Sequence, residues 1–139
     1  MATNNKIIKN WRERTLEDLE NDYWGEIEYP TNLVRRCFEL REIPLRDFRI
    51  EDLRIMISQQ IGLDYLVPLA LEVLTKDLFA EGDLFEGDLL KSTLRIKTSF
   101  WNNNKEHWAT LYNLVKNRRN EIEVQKFDTI NFDNCIHQL

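Results

Sequence analysis

The chain has 139 residues, of which 42% are hydrophobic and 31% are charged, and its formal net charge at pH 7 is −5. This length and composition predict one globular domain over residues 1–139, and no apolar run is long enough for a membrane span or a signal peptide, so we expect a cytoplasmic protein. The negative charge argues against nucleic acid as the main ligand, because phosphate binding needs a basic surface, and it suits a basic protein partner.

The first part of the chain is predicted to contain a loose arm and one short helix. Residues 1–14 are mostly polar, and Trp11 within them is the tryptophan that we expect to be exposed. Thr15, with the acidic Asp18 three positions later, is typical of a helix start. Gly25 is expected to close this element.

Two further helices show apolar residues at helical spacing. Thr31 is expected to begin the first of them and Pro44 to end it, while Gly62 is predicted to cap the second at its C-terminus. The apolar stripe of the first helix consists of Leu33, Val34, Cys37, Phe38 and Leu40. The stripe of the second consists of Ile50, Leu53, Met56 and Ile57, followed by Gln60.

The next predicted helix is apolar on nearly every side and therefore belongs at the centre of the fold. It is expected to start near Asp64, with Pro68 in about its first turn, where proline is tolerated. Residues 50–74 thus predict a central helical hairpin. The residues that we expect to be buried in it are Leu53, Ile57, Leu69 and Leu71.

The second half of the chain is also read as helical. Asp88 is expected to cap a short helix over 89–94, and Trp108 begins the stripe of a long amphipathic one. Residues 120–139 leave two structures open, a strand and an extended helix with a loose end. The chain as a whole predicts an all-α, compact bundle of roughly five to seven helices.

The negative charge is concentrated in two segments. Residues 13–28 carry seven acidic residues and one arginine, and residues 77–88 carry five acidic residues and no basic one. These acids are expected either to cap helices and solvate loops or to contact a basic partner. The calcium-loop spacing is absent, so no metal site is predicted. The candidate partner-binding residues are Glu20, Asp22, Asp77, Glu81, Asp83 and Glu86.

Six arginines lie between the two acidic segments, interspersed with acids at near-helical spacing. This pattern predicts a solvated, salt-bridged surface, with phosphate binding as the alternative. These arginines are Arg35, Arg36, Arg41, Arg46, Arg49 and Arg54.

Catalytic patterns are weak in this chain. His107 and His137 are its two histidines, and Cys135 with His137 lacks the second pair that a zinc site requires. Nucleophile elbows, phosphate loops and dinucleotide fingerprints do not occur. We therefore predict no enzymatic activity and no cofactor, and we expect Cys37 and Cys135 to be reduced thiols.

A series of short motifs, spread over about residues 15–101, resembles the CdiI-type immunity proteins of bacterial contact-dependent growth inhibition (CDI) systems. The motifs are Leu16-Glu17, Trp24-Gly25-Glu26, Leu33-Val34-Arg35-Arg36-Cys37, Pro44-Leu45, Glu51-Asp52-Leu53-Arg54, Gly62-Leu63, Leu66-Val67-Pro68-Leu69-Ala70-Leu71, Ala80-Glu81-Gly82-Asp83 and Gly87-Asp88-Leu89-Leu90.

This resemblance implies an antidote that binds the C-terminal toxin domain of a cognate CdiA effector, often a nuclease, and blocks it by occlusion without chemistry of its own. It implies a monomer that forms a heterodimer with the toxin. The alternatives from the residues alone are an acidic helical adaptor for another basic protein and a small enzyme. Motifs such as Gly82-Asp83 and Gly87-Asp88 resemble the family, so they are also candidates for structural caps rather than for toxin specificity.

Overall fold

The computed structural model describes residues 10–25 and 28–135. Within these residues every regular element is helical, which confirms the predicted all-α fold. The nine α-helices of the described part are α1 (Leu16–Glu20), α2 (Asn32–Leu40), α3 (Ile50–Ser58), α4 (Leu63–Lys76), α5 (Asp88–Leu94), α6 (Thr98–Asn102), α7 (Lys105–Asn117), α8 (Arg119–Val124) and α9 (Ile130–Asn134). Short 3₁₀ turns lie at Trp11–Glu13 and Leu45–Asp47.

The centre of the fold is formed by α3, α4 and α5. α3 packs against both α4 and α5, and α4 also packs against α7. Leu53, Ile57 and Leu71 are buried there, as predicted. The prediction for Leu69 is wrong, since this side chain is half-buried at the edge of the core. Neighbouring helical residues point about 100° apart, so Leu69 falls beside the inward stripe that contains Ala70.

Side-chain caps begin three of the helices. Thr15 Oγ1 accepts a hydrogen bond from Asp18 N at 3.2 Å, and Thr31 Oγ1 accepts one from Val34 N at 3.1 Å, so both predicted helix starts are confirmed. At the start of α3, the buried Asp52 accepts a bond from Arg49 N at 3.0 Å. These contacts satisfy amide groups that a helix leaves unpaired at its N-terminus.

The turn between α3 and α4 differs from the prediction that Gly62 caps α3. Gln60 takes the left-handed conformation after α3, with φ +60°. Its N–H donates to Ile57 O at 2.9 Å, and Ile61 N–H donates to Met56 O at 2.9 Å, which is the bonding of a Schellman motif. Gly62, with φ +65°, instead stands immediately before α4.

The start of α4 is fixed by close packing against α1. A Cβ atom at Gly62 would lie 2.8 Å from Leu16 Cδ1, so a larger residue would push against a fully buried side chain. Because α4 begins at Leu63, Pro68 is its sixth residue and lies in the second turn rather than in the first.

Residues 10–14, predicted to belong to a loose arm, pack against α4. The Trp11 ring lies 6.2 Å from that of Tyr65, and Arg12 forms an ion pair with Glu72. Trp11 is half-buried, so the prediction that it is exposed is wrong. Residues 1–9 of the predicted arm lie outside the described residues.

The C-terminal part is neither the strand nor the extended helix that the sequence left open. It consists of the short helices α8 and α9, which are separated by the non-helical residues 125–129. In α8, Ile122 is buried and Val124 is exposed. The indole N–H of Trp108 donates to Phe132 O at 2.8 Å, and the Phe132 ring lies 5.3 Å from that of the buried Trp101. These contacts fix α9 against α6 and α7, while residues 136–139 lie outside the described residues.

Candidate partner-binding surface

The acidic segment at residues 77–88, here called the connector, links α4 to α5. The side chains of Asp77, Glu81, Asp83 and Glu86 are exposed along it, whereas Asp88 is buried. The connector also exposes Leu84 and Phe85, at 63% and 40% of their surface. Two apolar side chains in the middle of an acidic loop are more typical of a contact surface than of a purely solvated one.

Asp88 folds the connector back on itself instead of capping α5. Its Oδ1 accepts a hydrogen bond from Gly82 N at 2.7 Å, and its Oδ2 accepts from Leu84 N at 3.0 Å and Phe85 N at 3.3 Å. Gly87, with φ +87°, occupies the cap position of α5. The predicted role of Asp88 as a helix cap is therefore corrected, because its side chain satisfies the amides of the connector.

A buried ion-pair cluster beneath the connector completes its anchoring. Arg54 donates to both oxygens of Glu51, from Nε at 2.7 Å and from Nη2 at 2.5 Å, and Glu51 Oε1 also accepts from Asp83 N at 2.8 Å. Arg54 Nε lies 3.8 Å from Asp88 Oδ2. With the Arg54 side chain only 14% exposed, hydrogen bonds from Arg54 hold the pKa of Glu51 below its ordinary value, although burial opposes this.

Gly82 is required where the connector crosses this cluster. A Cβ atom at this position would lie 2.6 Å from Glu51 Oε1 and 3.1 Å from Asp88 Oδ2. Any side chain would displace the carboxylates that hold the loop. The Gly82-Asp83 and Gly87-Asp88 motifs thus fix the shape of the connector, and the exposed acids between and before them remain available to a partner.

The first acidic segment is held by a second buried arginine. Arg41, at the end of α2, is 1% exposed and forms an ion pair with Glu20 and a hydrogen bond to Asp22 O. Its guanidinium also lies 4.2 Å from the centre of the Trp24 ring. The prediction that the arginines of residues 35–54 form a solvated surface is therefore wrong for Arg41 and Arg54.

The candidate binding residues differ in whether their carboxylates already bond to other groups of the fold. The Glu20 carboxylate pairs with Arg41, and Asp22 Oδ2 accepts a bond from the Trp24 indole at 3.3 Å. Glu81, Asp83 and Glu86 have exposed carboxylates for which no ion pair occurs among residues 10–25 and 28–135. The connector is therefore the stronger candidate of the two acidic segments for contact with another molecule.

The two segments lie near opposite ends of α4. The first packs beside Tyr65, whose hydroxyl donates to Leu19 O at 3.3 Å, whereas the connector begins at Asp77. At 1.5 Å per helical residue, Tyr65 and Asp77 are about 18 Å apart along the helix axis. The acids therefore form two separate patches.

The cysteines and histidines form no recognisable reactive centre in the described ranges. Cys37 and Cys135 are free and buried, and burial raises the pKa of both thiols. Burial lowers the pKa of His107, while His137 lies outside the described residues. No group of three potential metal ligands occurs in the described part of the chain.

None of the helices described is both long enough and apolar enough to cross a membrane.

Comparison with known proteins gives one family for a region that contains the connector and most of the first acidic segment. A family model described as CDI immunity proteins matches residues 18–111, more than half of the chain. The match runs from α1 into α7 and includes the connector and the Glu51–Arg54 pair. A search of curated proteins returned no match.

Proposed function

The chain belongs to the family of CDI immunity proteins, and from this premise we propose that it binds the C-terminal toxin domain of its cognate CdiA effector and neutralises it by occlusion in the cytoplasm. The family match carries this proposal. The connector supports it, because a loop fixed by buried hydrogen bonds presents its exposed acids and apolar side chains with little ordering cost on binding.

We further propose that the toxin is a nuclease and that the complex is a heterodimer. A nuclease needs a basic cleft to hold phosphates, and the exposed acids of the connector complement such a cleft. Complementary charge speeds encounter and fixes orientation more than it adds affinity. Neutralisation then requires only that the bound immunity protein cover the substrate site, with no bond made or broken.

Growth of bacteria that express the toxin domain encoded beside this chain tests the proposal. The toxin domain alone should arrest growth, and co-expression of the full chain should restore it. The two proteins should also co-purify as a complex of one copy each. Persistent arrest with both proteins abundant and folded would contradict the immunity function.

The nuclease proposal has its own measurement. Purified toxin domain is incubated with RNA and with DNA, with and without an equimolar amount of the chain. Degradation by the toxin alone that disappears when the chain is added supports a blocked nuclease. Binding without any nucleic-acid degradation by the free toxin would reject the nuclease class and leave immunity standing.

A further inference from the structure

A cleft of about 390 Å³ lies beside the connector, between α3 and α5. Leu84 and Phe85 line it from the connector, Arg54 lines it from α3, and Lys91 of α5 lines it together with Arg95, the residue after α5. The cleft therefore combines exposed apolar side chains with basic ones, directly next to the acidic surface of the connector.

The positive charge of this cleft is not neutralised within the described structure. Arg54 is paired with Glu51, but neither Lys91 nor Arg95 forms an ion pair with any described carboxylate. Lys91 Nζ instead lies 5.5 Å from the centre of the Phe85 ring. Both cations are exposed. Lys91 lies in α5 and Arg95 is the residue directly after its end, four positions on, a spacing that places side chains on one face of a helix.

The same two cations also line a neighbouring cleft of about 460 Å³, together with Lys97. They thus form a basic ridge between two depressions. Positive charges near the C-terminal end of a helix interact favourably with the helix dipole. This effect explains the positive charge of the ridge without any ligand. That effect does not account for the exposed Leu84 and Phe85 beside them.

We propose that this cleft receives an apolar side chain and an adjacent carboxylate from the toxin domain, an inference that rests on the proposed immunity function. The contact surface is then bipolar: the connector acids meet basic residues of the toxin, and the Lys91–Arg95 ridge meets an acidic group. Phe85 lies at the boundary and supplies the aromatic anchor that protein interfaces favour.

A protein segment fits this surface better than a nucleic acid does. The exposed acids Glu81, Asp83 and Glu86 flank Leu84 and Phe85 in the sequence of the connector, and the chain as a whole has a net charge of −5. A polyanion that approached Lys91 would be repelled by these carboxylates. A single carboxylate on a folded toxin can reach the ridge while basic toxin residues face the acids.

The proposal is tested by measuring how variants of the full chain bind the toxin domain encoded beside it. Lys91→Glu with Arg95→Glu should weaken binding about tenfold or more, and Phe85→Ala should do the same. The matched control is Lys105→Glu with Lys116→Glu, which makes the same change in net charge at two exposed cations of α7. This control should bind like the wild type, and all variants should melt like it.

The outcomes separate this inference from the function on which it rests. Failure of the wild type to bind the toxin overturns the proposed function and this inference with it. Wild-type binding that neither cleft variant weakens overturns the inference alone. A parallel titration uses a short DNA duplex. If the wild type bound this duplex and the Lys91→Glu, Arg95→Glu variant did not, the occupant of the cleft would be a polyanion. That result would also overturn the inference.

Discussion

Single residues decide the shape of both acidic segments. Arg41 binds the Glu20 carboxylate and Asp22 O of the first acidic segment. Arg54 lies beside Asp88 and holds Glu51, which accepts a bond from Asp83 N of the connector. Both arginine side chains are largely withdrawn from water. Removal of one partner from a buried ion pair is strongly destabilising because the other charge stays buried and unpaired. The acids of these segments therefore fall into two groups, those that build the fold and those that face solvent.

The contribution of Glu51 to the stability of the fold depends on pH. Hydrogen bonds from Arg54 hold its folded-state pKa below the ordinary value, despite burial. Its contribution to stability is therefore fully present above the unfolded-state pKa of about 4.3 and is lost as the pH falls through the lower, folded-state value. We expect Glu51→Gln to lower the free energy of unfolding at neutral pH and the difference from the wild type to shrink on acidification.

Urea denaturation at a series of pH values between about 7 and about 3 measures this difference. Glu42→Gln is the control, because Glu42 is exposed and no ion pair involves it in the described structure. Asp52 also has a lowered pKa, since hydrogen bonds from Arg49 and Arg36 outweigh its burial, so the wild type should lose stability in acid as well. A constant gap between wild type and Glu51→Gln at every pH would contradict the role given to the Glu51 charge.

Substitution of Gly87 tests how closely the end of the connector is packed. At φ +87° a Cβ atom would lie 2.8 Å from Phe127 Cζ and 3.2 Å from Phe79 Cδ1. Gly25 has a similar φ of +72° with nothing within 4 Å of its Cβ position. Both alanine variants should lose about 1–2 kcal/mol from the left-handed backbone, and Gly87→Ala about 1–3 kcal/mol more from overpacking. Thermal denaturation should show the larger fall in Tm for Gly87→Ala. Equal falls in Tm would mean that the rings of Phe127 and Phe79 move aside at little cost.

For the helices, the sequence correctly predicted caps that bond within a few residues, but it did not predict contacts with residues far along the chain. Thr15 and Thr31 cap helices because a hydroxyl needs only the amide three residues ahead. Gln60 takes the left-handed position that glycine usually fills, and its side chain accepts from Lys97 N at 3.2 Å and donates to Arg95 O at 3.4 Å. Those partners are distant in sequence, so spacing could not indicate them. Asp88 differs, because its partners lie only three to six residues away but precede it in the connector, whereas a helix cap bonds to amides that follow it.

The packing of α4 provides a matched pair of substitutions. Leu71 is buried in the core, whereas Leu69 is half-buried at its edge. Leu71→Ala should cost about 2–5 kcal/mol, the usual range for a buried leucine, and Leu69→Ala should cost clearly less. Chemical denaturation of both variants checks the order. A larger loss for Leu69→Ala would mean that α4 is rotated relative to its neighbours.

For the molecule as a whole, composition predicted two acidic segments but not their arrangement. The points where they meet α4, at Tyr65 and Asp77, are about 18 Å apart along the helix axis, by the rise of 1.5 Å per residue. A protein interface of ordinary size covers about 800 Å² on each partner, which is a patch roughly 30 Å across. One toxin domain could therefore contact both segments. The connector is the part that we expect to dominate, because Glu20 is already paired with Arg41.

The last prediction concerns how the toxin reaches this surface. Glu81→Lys with Glu86→Lys reverses two exposed charges of the connector and should slow association with the toxin roughly tenfold at low salt. The dependence of the association rate on ionic strength should also weaken, since rim charges act mainly through long-range steering. Stopped-flow measurement at low and high salt gives both quantities.

The matched control is Glu42→Lys with Glu123→Lys, two exposed acids outside the connector that change the net charge by the same amount. If steering depended on net charge alone, both double variants would slow association equally. If the connector faces the basic surface of the toxin, the Glu81, Glu86 variant should be the slower one, because local complementarity sets the orientation of the encounter. An unchanged rate and salt dependence in a folded Glu81, Glu86 variant would remove these residues from the interface and direct attention to Asp22 and the first acidic segment.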